Sequence, residues 1–196
     1  MIEYFFNPKK FIPNEYQTTI YDIDFQKHYD EGKRLIISDL DNTLLSYRCE
    51  LPTEELIEWK KKINDMGFEL VICSNNHKKR VKKFCEAFGV PFIASAKKTF
   101  GGGLRRALKK ARKEYRQNYT KDMVIEIGDQ LLTDQYASSK FGLYTIMVRN
   151  IDPKAEIWTT RFNRRIENKI LKRIMKKYPD LYEEKLSRYV GEKIAR

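Results

Sequence analysis

Five short apolar runs, at 34–39, 68–73 (FELVIC), 91–94 (PFIA), 122–127 (DMVIEI) and 143–148 (LYTIMV), alternate with amphipathic stretches that have readable ends. That alternation constrains the fold more than any other feature of the chain. Strand, helix, strand, repeated, is the pattern of a parallel sheet whose crossover helices cover both faces. Thr53 is placed to cap a first helix whose opening turn carries Glu54 and Glu55, and Gly67 ends it. Asn75 or Asn76 starts the next, which closes near Gly89. A third is expected from Leu104 to Arg116 and a fourth from Thr133 to Phe141, closed by Gly142. The expected fold class is therefore α/β, a Rossmann-like parallel sheet of about five strands with helices on both faces.

Two flanks fall outside the pattern. Residues 1–33 are rich in aromatics (Tyr4, Phe5, Phe6, Phe11, Tyr16, Tyr21, Phe25, Tyr29) and hold one short helix near 24–31 that ends at Gly32. They read as an extension packed on a core of residues 34–150. Residues 151–196 read as a basic helical extension, with Phe162, Ile166, Ile170, Ile174 and Tyr178 at four-residue spacing, a stop at Pro179 and a second short helix after it. The 196 residues fit one domain with these flanks, and 41% hydrophobic content is enough to build a core. No run approaches the ~18 apolar residues needed to span a bilayer. The opening MIEYFFNPKK has an early Glu and then Pro8, where a secretory signal needs a sustained apolar run. Cys49, Cys73 and Cys85 are odd in number and lack C-x-x-C spacing, which points to reduced thiols in the cytoplasm rather than disulfides or a zinc knuckle.

In a parallel α/β sheet, ligands bind outside the carboxyl ends of the strands. Those ends carry Asp39 and Asp41 in RLIISDLDNTLL (34–45), then Ser74, the pair Lys97–Lys98, and Asp129 within GDQLLTD (128–134). Residues two apart on an extended chain point the same way, about 6–7 Å from one another, so the two aspartates repel and do nothing for folding. With a hydroxyl, an ammonium and a third acid they are the groups for phosphoryl transfer. One carboxylate attacks, a second handles the leaving-group proton, and hard oxygens converge on magnesium. A lone D-x-D also occurs in glycosyltransferases and in capped turns, so the weight rests on four segments in order. His28 and His77 read as solvent-facing helix residues. Glu126, in an otherwise apolar strand, lies either at a solvated edge or against a partner the sequence does not name.

DLDNT (39–43), CSNN (73–76), KK (97–98) and GDQLLTD (128–134), in this order and spacing, resemble the four motifs of the haloacid dehalogenase-like (HAD) phosphatases. FIPNEYQTTIYDID (11–24), SNNHKKRVKKF (74–84) and WTTRFNRRIENKILKRI (158–174) are similar to the YqeG family of HAD subclass IIIA, so the resemblance covers residues 8–176. It implies an Mg2+-dependent phosphomonoester hydrolase with an aspartyl-phosphate intermediate. Asp39 would be nucleophile and metal ligand, and Asp41 general acid/base with its main-chain carbonyl on the metal. Thr43 would support the loop. Ser74 and the amides after it, Asn75 included, would hold phosphoryl oxygens at a helix N-terminus. Lys98 would balance charge and Asp129 would complete the magnesium site, with Asp134 behind it or as a further acidic contact there. The family usually has Pro after its motif lysine, whereas Thr99 follows Lys98 here, which leaves Lys97 as the alternative. Gly101–Gly103 stand where the family has a mixed stretch and are expected to loosen the helix start.

The intervals between Asp41, Ser74 and Lys98 have no room for a cap domain, so an open site is expected, suited to a phosphate on something large. The formal charge of +12 directs the chain toward polyanions. Cations concentrate at 78–83 (KKRVKK), at 97–116 against Glu114 alone, and at 161–177 against Glu167 alone. YqeG proteins are similar to phosphatidylglycerophosphate phosphatases, which implies an anionic phospholipid headgroup as substrate and peripheral contact at the inner face of the membrane. A solvated basic surface accounts for the same charge. The rival reading is a basic RNA- or ribosome-associated binding protein on the same scaffold, and nucleic acid is less favoured because no aromatic-interleaved RNA motif is present. Oligomeric state has no signature in the sequence.

Overall fold

A computed structural model describes residues 7–100, 102–155 and 158–194, with only the backbone at 100, 155, 158–162 and 191–194. Tyr4, Phe5 and Phe6 of the aromatic flank, and the side chain of Phe162, lie outside the described residues.

The expected runs form β2 (Leu35–Ser38), β3 (Glu69–Cys73), β4 (Phe92–Ile93), β5 (Val124–Gly128) and β6 (Tyr144–Val148). A sixth strand, β1 (Glu15–Gln17), joins them in the order β1-β6-β5-β2-β3-β4, and every pairing is parallel. The α/β architecture is as expected, with a strand added from the N-terminal flank. Three residues are too few for an alternating pattern to register. The neighbouring Asn14 fixes them instead: its N–H donates to the Thr145 carbonyl at 3.1 Å, and its Oδ1 accepts from the Thr145 N–H at 2.9 Å.

Alternation along the strands sends side chains to two cores. Ile36, Leu70, Ile72, Ile125 and Ile127 face one side, where α1 (Phe25–Asp30), α2 (Glu54–Asp65) and α3 (Lys78–Phe88) bring Phe25, Leu56, Trp59, Ile63, Val81, Phe84 and Phe88. Leu35, Ile37, Val71, Cys73 and Val124 face the other, against Leu104, Ala107, Leu108 and Ala111 of α4 (Gly102–Glu114) and Ala137 of α5 (Tyr136–Phe141). A third cluster lies at the β1 edge. There Ile170 and Ile174 of α6 (Trp158–Lys177), Tyr182 of α7 (Pro179–Lys185) and Tyr189 of α8 (Ser187–Ile194) meet Phe11, Tyr16, Leu131 and Met147. In the described part of the basic helix, Ile170 and Ile174, with Ile166 packed against them, are thus spent on the protein itself.

Three expectations are corrected. His28 is fully buried rather than solvent-facing, with Nε2 3.1 Å from Glu15 Oε2, which ties α1 to β1. The second crossover helix begins at Lys78, with His77 as its N-cap, not at Asn75 or Asn76. The fourth is shorter than expected, because residues Leu131–Gln135 form a wide π-type turn before Tyr136. The cysteines are free, Cys73 and Cys85 buried and Cys49 exposed. Among the described residues no helix is long and apolar enough to cross a membrane.

Candidate active site

The site grows from the end of β2. The Asp39 N–H donates to the Ile127 carbonyl at 2.8 Å, so the ladder with β5 continues one residue past the strand and carries the carboxylate onto the rim. The chain then reverses. Asn42 adopts the left-handed region at φ 65 and donates its N–H to the Leu45 carbonyl at 2.7 Å. Asparagine tolerates that conformation better than most side chains. Leu40, Leu44 and Leu45 are buried and anchor the turn. Asp39 and Asp41 leave this turn into unlike surroundings.

Asp39 faces inward, where Lys98 Nζ donates to its Oδ1 at 2.9 Å. Burial pushes its carboxyl up to about 8, against the pull of the Lys98 ammonium and with a further push from Asp134 and Asp129. Lys98 is 1% exposed; burial alone would lower its pKa, but Asp134, Asp39 and Glu126 hold it well above the usual lysine range. The two lysines left open by the sequence differ in placement. Lys97, at φ 50, turns outward and is exposed, while Lys98 turns in. The Lys98 N–H donates to Asn75 Oδ1 at 3.0 Å, so Asn75, expected on the phosphate, tethers the lysine loop. Of the three glycines at the start of α4, Gly101 lies outside the described residues and Gly103 sits at a close approach. A Cβ there would meet the Ala96 carbonyl oxygen at 2.8 Å, so its absence lets α4 press against that loop.

Glu126 is fully buried in β5, between β2 and β6, and not at a solvated edge. Its Oε1 lies 3.9 Å from Lys98 Nζ. Burial, reinforced by Asp134, holds its carboxyl well above the usual range, with Lys98 opposing. Asp134 stands behind the lysine. Its Oδ1 takes the Lys98 ammonium, and its Oδ2 accepts from the Gln130 N–H at 3.0 Å and the Thr133 hydroxyl at 3.3 Å. It rests directly on Gly128, where a Cβ would come within 2.4 Å of Asp134 Cβ.

Asp41 is held in a clamp the sequence did not reveal. Arg80 Nε donates to its Oδ1 at 2.7 Å, a second guanidinium nitrogen does so at 2.5 Å, and Asn76 Nδ2 donates to Oδ2 at 2.8 Å. The guanidinium also sits 4.7 Å over the Tyr47 ring. Arg80 lies within KKRVKK, where an arginine among lysines was the only hint of a bidentate role. Ser74 is buried, and its Oγ accepts from the Asn76 N–H at 3.1 Å while Asn76 Oδ1 accepts from the His77 N–H at 2.7 Å. Two of the amides expected to hold phosphoryl oxygens are therefore engaged in the turn itself.

Asp129 is fully buried, and Thr43 Oγ1 donates to its Oδ1 at 3.4 Å. Arg164 of α6 donates to its Oδ2 at 2.5 Å and to its carbonyl at 2.9 Å. Spacing carried no signal for Arg164, which reads in sequence as one more cation of a basic helix.

Among the described residues no three carboxylate, histidine or cysteine side chains form a ready metal cage. The donors fit a hard cation that keeps water and takes one or two carboxylates. Asp39, Asp129 and Asp134 face Lys98 and Arg164, and Arg164 is shared with the buried Glu167. The surplus is negative, and a divalent cation at Asp39 and Asp129 would offset it.

A family model described as haloacid dehalogenase-like hydrolase matches residues 36–190. A Bacillus subtilis (strain 168) protein described as "Probable phosphatase YqeG" is 36% identical over 176 residues, covering 90% of this chain and 98% of that one. Two solved structures are more distant likenesses. The cobalt-bound deoxy-D-mannose-octulosonate 8-phosphate phosphatase of Haemophilus influenzae is 14% identical, with a TM-score of 0.44 over 72% of this chain and 89% of that one. A Legionella pneumophila HAD superfamily (subfamily III A) hydrolase is 14% identical, with a TM-score of 0.40 over 75% of this chain and 93% of that one.

Proposed function

The chain belongs to the haloacid dehalogenase-like hydrolases, as a phosphatase of the YqeG kind, and on that premise we propose that it cleaves a phosphomonoester with Mg2+ through an aspartyl-phosphate on Asp39. The observation that carries this reading is the buried Asp39–Lys98 pair at 2.9 Å, with a second carboxylate two residues on held in a different environment.

Asp39 attacks phosphorus as the ester P–O bond breaks, and Asp41 delivers a proton to the departing oxygen. Water then attacks the aspartyl-phosphate while Asp41 takes its proton, and inorganic phosphate leaves with Asp39 restored. The Lys98 ammonium, fixed by Asp134, stabilises charge on the phosphoryl oxygens. A magnesium ion held by Asp39, Asp129 and the main-chain carbonyl of Asp41 would neutralise the same oxygens. The clamp of Arg80 and Asn76 holds the Asp41 carboxylate in one orientation. The acid role requires Arg80 to release Asp41 as substrate arrives.

The substrate we propose is phosphatidylglycerophosphate, met at the inner face of the membrane from the cytoplasm. The sequence likeness supports it, and so does an open rim: a short flap and α2 lie between Asp41 and Ser74, and α3 and β4 between Ser74 and Lys98. Contact with lipid would be electrostatic, because Ile170 and Ile174 of α6 are packed inside while Lys169, Lys172, Arg173, Lys176 and Lys177 are exposed. The test is phosphate release from phosphatidylglycerophosphate in mixed micelles with Mg2+, beside a soluble phosphomonoester, with Asp39→Asn as control. Asp39-dependent turnover of the lipid over the soluble ester is the expected result. Turnover of the soluble ester alone discards the lipid and keeps the chemistry. Silence on both, with salt-sensitive RNA affinity, points to the binding-protein reading.

A further inference from the structure

We infer that Arg164, from the C-terminal helix α6, is a positioning residue for Asp129, so that the acidic centre on the α/β core is completed by a segment outside it. The inference rests on the reading of Asp129 as a cation ligand. Its grounds are geometric. The guanidinium donates to Asp129 Oδ2 at 2.5 Å and to the carbonyl of the same residue at 2.9 Å. A planar fork that holds side chain and main chain together leaves the carboxylate little rotation and presents Oδ1 on the side of Thr43.

The fork is itself held. Arg164 Nη1 donates to Glu167 Oε2 and to the Tyr189 hydroxyl, each at 3.1 Å, and that hydroxyl lies 3.4 Å from the Asp129 carbonyl. Glu167 reaches further, its Oε1 accepting from the Leu132 N–H at 3.2 Å. One turn of α6 therefore grips the DQLL segment (129–132) at both ends. A bare cation beside a carboxylate that takes a metal would repel that metal. Here Glu167, fully buried against the guanidinium, cancels that charge, and what Asp129 receives is orientation. Partners of this kind behind a metal ligand are worth about 10–100-fold in affinity.

The test uses the full chain and titrates Mn2+ alone, followed by its paramagnetic resonance signal and by calorimetry, with thermal melting alongside. Arg164→Met is expected to weaken Mn2+ binding about 10–100-fold. Arg164→Lys should recover only part, since one ammonium cannot serve carboxylate and carbonyl as the fork does. Tyr189→Phe keeps the ring in its cluster and removes one support; it should cost about 2–10-fold, and it carries the test if Arg164→Met does not fold. Unchanged or tighter Mn2+ binding in folded Arg164→Met, or in Tyr189→Phe where that variant stands in, overturns the inference even if the melting temperature drops. A wild-type chain that binds no Mn2+ and no Mg2+ removes the cation-ligand reading, and the inference falls with it.

Discussion

Glu126 has no step of its own in the reaction, yet it sets how the acidic centre responds to pH. Its carboxyl lies fully buried beside Lys98 and is held well above the usual range by burial first and by Asp134 next, with Lys98 opposing and Asp39 adding to the rise. Ser138, in α5, also faces it. A carboxyl raised in the folded state keeps a proton that the unfolded chain gives up, so its contribution to stability is full below the unfolded value of 4.5 and fades as pH rises through the folded one. Glu126→Gln has no proton to lose. Its melting temperature relative to wild type should therefore rise steadily from about pH 5 to about pH 8, by roughly 2–4 °C for each kcal/mol of difference. A pH-independent difference between the two proteins would remove Glu126 from this role. The sequence marked Glu126 as odd because it interrupts an apolar strand, but could not name its partner, which comes from the far side of the sheet rim. Arg80 and Arg164 were less legible still. Each looks like a surface cation until the fold sets a particular carboxylate against it, and periodicity carries no information about that.

At the scale of elements, what could be read was what rests on local chemistry. The five apolar runs became strands because buried parallel strands are continuous apolar segments, and Thr53 caps α2 by accepting from the Leu56 N–H at 3.2 Å. What could not be read depends on a second element. α3 starts late because the Ser74 and Asn76 side chains take backbone N–H groups before the helix begins. β1 exists because Asn14, Glu15 and Tyr16 find partners on β6, α1 and α8. The Glu15–His28 contact is the bond between the flank and the helix behind it. It lowers the Glu15 carboxyl below its usual range against the opposite effect of burial. His28→Ala opens a cavity and strands a partly buried carboxylate, a loss of about 1–3 kcal/mol. Its readout is local: hydrogen exchange should quicken across the β1–β6 pairing at Ile146, Met147 and Val148 and stay slow in β2. Uniform acceleration through the sheet would mean that β1 is not a separable edge.

Across the whole molecule, charge and openness point the same way. The rim that carries Asp39 is bordered by α3 and α4, whose outward residues include Lys78, Lys79, Arg105, Arg106 and Lys109, all exposed. Lys82 and Lys83 on α3 are neutralised by Glu86 and Glu50, so much of the unmet charge next to the site belongs to Lys78 and Lys79. Such charges act at a distance and are screened beyond about 8 Å at physiological salt. They can raise the rate at which an anionic surface meets the site, but not the rate of the chemical step. That separates two kinetic constants. Replacing both lysines, as Lys78→Gln with Lys79→Gln, should cut kcat/KM on an anionic micelle by roughly 30-fold at low salt, since each cation near such a surface contributes about 1 kcal/mol and about 1.4 kcal/mol is tenfold. The same variant should keep kcat on a small soluble ester near its starting value, because neither residue touches Asp39, Asp41 or Lys98. Raising the salt to about 1 M, where the screening length falls to about 3 Å, should close the gap between variant and parent on the micelle. A gap that persists in high salt would trace the loss to a disturbed helix rather than to a lost field, and equal losses on both substrates would place these lysines in the catalytic step.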